Sequence, residues 1–79
     1  MEQKITEIIS EICSLEPGDF TPDLDLFEAG FLDSFGTLQM LVQLGEAFGV
    51  NLDPGDIARE EVASVEQIIA TISKKKGAS

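Results

Sequence analysis

The chain has no histidine, no tyrosine and no tryptophan, a single cysteine, and only 5 basic residues. Each shortage excludes something. Without histidine the commonest general base is missing, and with it any Ser-His-Asp or Cys-His arrangement. One cysteine makes no internal disulfide, and without histidine no zinc cluster can be assembled, so no metal site is expected. That cysteine, Cys13, stands among apolar residues with only Lys4 basic nearby, which suits a small buried hydrophobe better than a reactive thiolate. No apolar run approaches membrane-spanning length and no stretch reads as a secretory leader, so a cytoplasmic location is expected. The few basic residues face 15 acidic ones, for a net charge of −10, and three of the five are Lys74, Lys75 and Lys76. Such a surface repels nucleic acid, whose affinity comes largely from phosphates neutralised by Lys and Arg. It suits basic patches on partner proteins, or solubility alone.

What is present reads as one small domain over residues 1–73, followed by a flexible tail over 74–79. Seventy-nine residues bury only about 60–65% of the surface that the unfolded chain exposes, enough for one modest core. Ile5, Ile8, Ile9, Ile12 and Leu15 share one helical face, with Glu2, Glu7 and Glu11 opposite, so the spacing predicts a helix over 3–15 that ends at Glu16-Pro17-Gly18. The connection over 16–33 is long but not polar. Phe20, Leu24, Leu26, Phe27, Phe31 and Leu32 should pack it on the helices, with Phe31 and Leu32 as anchors and a short helical turn over 25–29.

A second helix, read as the most amphipathic in the chain, is predicted over 34–48. Leu38, Leu41, Val42 and Phe48 form its buried face, and Gly45 lies where another helix crosses closely. Asp33 or Ser34 can cap its start, and Gly49 suits the left-handed residue that closes it. Asp53-Pro54 opens a brief third helix, and Ser64-Val65-Glu66-Gln67 is a capping box for the last one, whose apolar stripe is Val65, Ile68, Ile69 and Ile72. No run alternates well enough for a sheet. The expected fold is all-α: a small antiparallel helical bundle of three main helices plus a short one, with a long first loop.

Little of this can perform chemistry unaided. Carboxylates act as an acid–base pair only in a shaped cleft that separates their pKa values, and a domain this small has little room for one. Asp23-x-Asp25 invites a calcium-loop reading that fails. The next ligand position is Phe27, the glycine position is Glu28, and the closing glutamate position is Ser34. Ser34, directly after Asp33 at a helix start, is on spacing alone a capping signal.

Its surroundings say more. Leu26-Phe27-Glu28-x-Gly30-Phe31-Leu32-Asp33-Ser34-Phe35, a Leu-rich helix and then Phe48-Gly49-Val50 resemble the acyl and peptidyl carrier protein family, from the first helix to about Ile72. In that family the serine of an Asp-Ser-Leu-type motif carries 4′-phosphopantetheine, which assigns the attachment to Ser34. Phe35 in place of Leu is a departure that bears on recognition rather than attachment. The string Asp23-Leu-Asp-Leu-Phe-Glu-Ala-Gly-Phe-Leu-Asp-Ser-Phe-Gly-Thr-Leu-Gln-Met-Leu41, with Arg59-Glu-Glu-Val-Ala-Ser64, is most similar to the D-alanyl carrier proteins of teichoic-acid alanylation.

The resemblance implies a monomeric carrier that is not itself an enzyme. It implies three partners: a phosphopantetheinyl transferase, an adenylating ligase and a membrane acyltransferase. Asp33, Phe35, Gln39 and Met40, around and after the serine, are read as partner-binding; Phe35 and Met40 would otherwise complete the core. Acidic residues along the second helix are expected of fatty-acid carriers, and Glu46 is the only one here. Carriers of fatty-acid, polyketide or nonribosomal-peptide pathways remain an alternative. So does a helical interaction module without a prosthetic group, in which Asp33-Ser34 is only a cap.

Overall fold

Isoleucines three and four apart leave the first helix no choice about which side to bury. In the computed structural model, which describes residues 2–77, α1 (Glu2–Cys13) buries Ile5, Ile8 and Ile9 and turns its glutamates outward. It ends at Ser14, which takes a left-handed φ of 58°. Ser10, also buried, donates its hydroxyl to the Thr6 carbonyl. Cys13 is half-buried rather than fully so, and its thiol donates to the Phe31 carbonyl at 3.1 Å. A short 3-10 turn (Pro17–Asp19) follows.

α2 (Ser34–Phe48) lies against α1. Ile12 of α1 approaches Gly36 at the start of α2, while Lys4, Ile8 and Glu11 share a groove with Gln43, Glu46 and Ala47 near its end, so the two helices run antiparallel. α3 (Val65–Gly77) packs on α1 and on a second 3-10 turn (Arg59–Val62). Ile5, Ile8 and Ile9 of α1 meet Met40, Leu41 and Leu44 of α2 and Val65, Ile68 and Ile72 of α3, with Phe20, Leu26, Leu32, Leu52 and Val62 from the connections. Among the described residues there is no strand and no buried side-chain polar atom without a partner. The all-α bundle with its long first loop is therefore the fold, and its radius of gyration of 11.4 Å is close to the roughly 11.6 Å of a compact chain this long.

Several expectations are corrected. α2 buries Met40, Leu41 and Leu44, whereas Leu38 and Val42 are 48% and 62% exposed. At 100° per residue, positions 37, 40, 41, 44 and 48 fall within one arc and positions 35, 38 and 42 within another on the far side. α2 is apolar on both arcs, so periodicity could not choose between them; α1, not α2, has the cleaner division of polar and apolar faces. Gly45 makes room for its own chain, since a Cβ there would sit 2.9 Å from the Val50 carbonyl oxygen, which belongs to the turn after Gly49. Asp53 starts a single turn in which its carboxylate accepts from the Gly55 amide, and the short helical segment comes later, at Arg59–Val62. α3 continues through Lys74–Gly77, within the stretch that the sequence reads as a flexible tail; that stretch's last two residues, Ala78 and Ser79, lie outside the described residues.

The long loop is held at both ends and in its middle. Asp25 accepts from the amides of Phe27 and Glu28 through one carboxylate oxygen, closing the turn over 25–29. The Leu26 amide donates to the Ala63 carbonyl at 2.7 Å, and the Glu66 amide to the Pro22 carbonyl at 3.0 Å. Leu32 is buried as expected, but Phe31 is 37% exposed and does not anchor the loop; its amide donates to the Leu26 carbonyl instead.

Candidate functional site

The start of α2 divides its tasks between adjacent residues. Asp33 is the N-cap: its backbone is extended, and its carboxylate accepts from the Gly36 amide at 2.7 Å. The Asp33 carbonyl accepts from both the amide (2.9 Å) and the hydroxyl (2.6 Å) of Thr37. A short oxygen-bearing side chain at this position satisfies an amide that the helix leaves without a partner. Ser34 is the first helical residue, is exposed, and takes no part in the cap. Its hydroxyl stands where the helix concentrates amide donors and positive potential.

Gly36 lets α1 come close beneath this start. A Cβ there would meet the Asp33 carboxylate at 3.2 Å and Ile12 at 3.6 Å. Cys13, at the end of α1, lies near enough to feel Asp33. Burial pushes its thiol above the ordinary pKa, and the Asp33 carboxylate adds to the rise. The one thiol of the chain is therefore held protonated at neutral pH and is a poor nucleophile.

Beside Ser34 opens a cavity of about 560 Å³ lined by Phe27, Leu32, Asp33, Ser34, Thr37, Leu38, Leu41, Pro54, Ile57, Arg59 and Val62. Its walls are mainly apolar, and its cation is Arg59, whose guanidinium carbon lies 4.3 Å from the centroid of the Phe27 ring. An exposed hydroxyl on the wall of such a cavity fits a serine-linked arm, because its oxygen is open to another enzyme. Among the described residues, no group of His, Cys, Asp and Glu could hold a metal ion.

Of the residues that the sequence singles out, Asp33, Ser34, Phe35 and Gln39 are exposed together at the first turns of α2, with Phe35 at 69%. Met40 is not with them. It is fully buried in the core, so its reading as a partner contact is corrected. Leu38 and Val42 are exposed instead: with Phe35 they form an apolar stripe, and with Gln39 and Gln43 they border a shallow hollow on the outer side of α2. The signal available in the sequence was the surplus itself, because α2 carries more large apolar residues than one buried stripe can take. Arg59 and Phe27 were present only as parts of a string, since nothing in their spacing brings residues 32 apart to one ring.

Comparison with known proteins agrees with this geometry. The family model described as phosphopantetheine attachment site matches residues 3–72. A D-alanyl carrier protein of Lactococcus lactis subsp. lactis is 33% identical over 76 residues, 96% of this chain and 96% of that protein. Those of Abiotrophia defectiva and Bacillus velezensis are 31% identical over 78 residues and 29% identical over 75, covering 99% of both chains in the first case and 95% and 96% in the second. The chain belongs to the phosphopantetheine-attachment-site family, a carrier with a covalently held 4′-phosphopantetheine.

Proposed function

We propose that Ser34 is the attachment point and that the chain carries D-alanine for the alanylation of teichoic acid, acting as a cytoplasmic monomer between other enzymes. The observation that carries the attachment is the division of labour at α2, where Asp33 makes the cap and leaves the Ser34 hydroxyl exposed. In the interaction-module reading Asp33-Ser34 is only a cap; Asp33 alone makes that cap, which leaves the Ser34 hydroxyl without a structural task. D-alanine is favoured by the relatives, which are named D-alanyl carrier proteins over nearly their whole length. It is also favoured by α2, whose single acid, Glu46, departs from the acidic second helix expected of fatty-acid carriers.

In the loading step the Ser34 oxygen forms a bond to the phosphorus of coenzyme A that bears the pantetheine. The pyrophosphate bond breaks, and 3′,5′-ADP leaves with the electron pair. The serine proton passes to a base of the transferase, since a serine hydroxyl is a weak nucleophile and this chain has no histidine to activate it. The amides at the start of α2 suit the phosphodiester that results. When bound, the arm supplies a terminal thiol that holds the cargo as a thioester, a task for which the protonated Cys13 is unsuited. Phe35, Leu38 and Val42, with Gln39 among them, offer an apolar face beside the attachment for an adenylating ligase and then a membrane acyltransferase, and the exposed Asp33 a charge for a basic residue of the transferase.

The test is direct. Incubation with coenzyme A, magnesium and a broadly permissive transferase should add one phosphopantetheine to the intact mass, and Ser34→Ala should abolish the gain. An unchanged mass beside a control carrier that is modified would overturn the attachment. The loaded protein offered amino acids and fatty acids with candidate ligases should accept D-alanine, and acceptance of fatty acids alone would overturn the cargo.

A further inference from the structure

Arg59 has no task in the attachment as described, and its placement is unusual for this molecule. The chain has 5 basic residues against 15 acidic ones. Lys4 borders a groove between α1 and α2, and Lys74, Lys75 and Lys76 lie in the last turn of α3. Among the described residues, Arg59 is the only basic one that borders the cavity of Ser34. Among the described residues no carboxylate pairs with it, although acids outnumber bases threefold. Its one partner is the face of Phe27.

Stacking on a ring fixes the plane of a guanidinium and leaves its N–H edge free. That edge presents parallel donors spaced for two oxygens of one phosphate or carboxylate. The ring is itself secured: the Phe27 amide donates to the Asp25 carboxylate, and the preceding Leu26 amide donates to the carbonyl of Ala63, the residue that closes the Arg59–Val62 turn. The other charged group on the cavity wall, Asp33, is an anion with its carboxylate turned to the Gly36 amide. A negative group joined to Ser34 is thus repelled on the Asp33 side and attracted on the Arg59 side.

We propose that Arg59 binds the phosphodiester through which the arm is joined to Ser34, and so directs the arm's first atoms along the cavity rather than into bulk water. The inference rests on Ser34 being the attachment point. Arg59 is a positioning residue: it forms and breaks no bond, and its hold is weak enough for a partner enzyme to draw the arm out. Because the pair is exposed, its attraction is screened by salt, whose Debye length is about 8 Å at 0.15 M.

The experiment uses the full chain, labelled with 15N and loaded from coenzyme A by a permissive transferase, as wild type, Arg59→Gln and Arg59→Lys. Intact mass comes first. A wild-type chain that gains no arm refutes the Ser34 reading, and this outcome is distinct from any result at Arg59. In loaded wild type, the Arg59 Nε–H resonance should shift relative to the unloaded protein. The 31P resonance of the phosphodiester should be displaced from its position in the urea-unfolded loaded chain, and sodium chloride should reduce both shifts. Arg59→Gln should lose the 31P displacement, and Arg59→Lys should recover part of it, since an ammonium keeps the charge but not the fork. An Arg59 Nε–H resonance indifferent to loading, or a 31P position equal in wild type and Arg59→Gln, would overturn the proposal.

Discussion

Asp33 and Ser34 are neighbours with opposite sensitivities to substitution. Removing the Asp33 carboxylate leaves the Gly36 amide without its 2.7 Å partner. Asp33→Ala should therefore cost about 1 kcal/mol, within the range of 0.5–2 kcal/mol for a lost cap, measured by urea unfolding. Ser34→Ala touches no cap and should stay within about 0.5 kcal/mol of wild type, as exposed substitutions usually do, while losing all modification. The pair of measurements separates a tether from a cap. Cys13 gives a pH test. Its thiol is held above the ordinary value of 9.0 in the folded state, by burial first and Asp33 second. The unfolded chain then ionises at lower pH than the folded one, so stability is fully present below the unfolded pKa and falls as pH rises past about 9. Unfolding monitored between pH 7 and pH 10 should show a steeper decline in wild type than in Cys13→Ala, and alkylation of Cys13 should be slow at pH 7.

At the scale of the element, α2 shows where sequence reasoning ends. The existence of α2, its cap and its closing Gly49 were legible because each depends on a few adjacent residues, and Gly49 does take a left-handed φ of 67°. Its orientation was not legible, because apolar residues on both arcs make either face a plausible core face, and the choice falls to the surfaces of α1 and the loop. The site followed the same rule. The place of Ser34 at the start of α2 could be read from its local string, whereas the ring–guanidinium pair and the exposed stripe depend on chain segments that meet only on folding. The correction at Met40 has a measurable form. Met40→Ala should cost about 2–5 kcal/mol, as truncation in a packed core does, whereas Val42→Ala on the exposed stripe should cost far less and instead slow transfer to or from a partner enzyme. Gly45→Ala should be destabilising in the same unfolding assay. The roughly 1 kcal/mol of helix propensity that alanine gains over glycine is outweighed by a methyl 2.9 Å from the Val50 carbonyl oxygen.

For the molecule as a whole, a charge of −10 on a body of 34 × 23 × 19 Å sets the background. Self-repulsion opposes compactness and weakens as salt shortens the reach of each charge. The melting temperature should therefore rise between 0.01 M and 0.15 M sodium chloride; a flat or falling response would mean that the acidic groups are already compensated locally. No helix of the structure is long and apolar enough to cross a membrane. The hydrogen bonds from Leu26 to Ala63 and from Glu66 to Pro22 give the surface around Ser34 a further property, one of timing. They join the loop that precedes Ser34 to residues made some 40 positions later. During synthesis the serine emerges early, but the platform around it closes only when the start of α3 arrives. With the arm on Ser34 as proposed, a chain ending at Val62 should accept it more slowly than the full chain, which would spend coenzyme A on completed carriers.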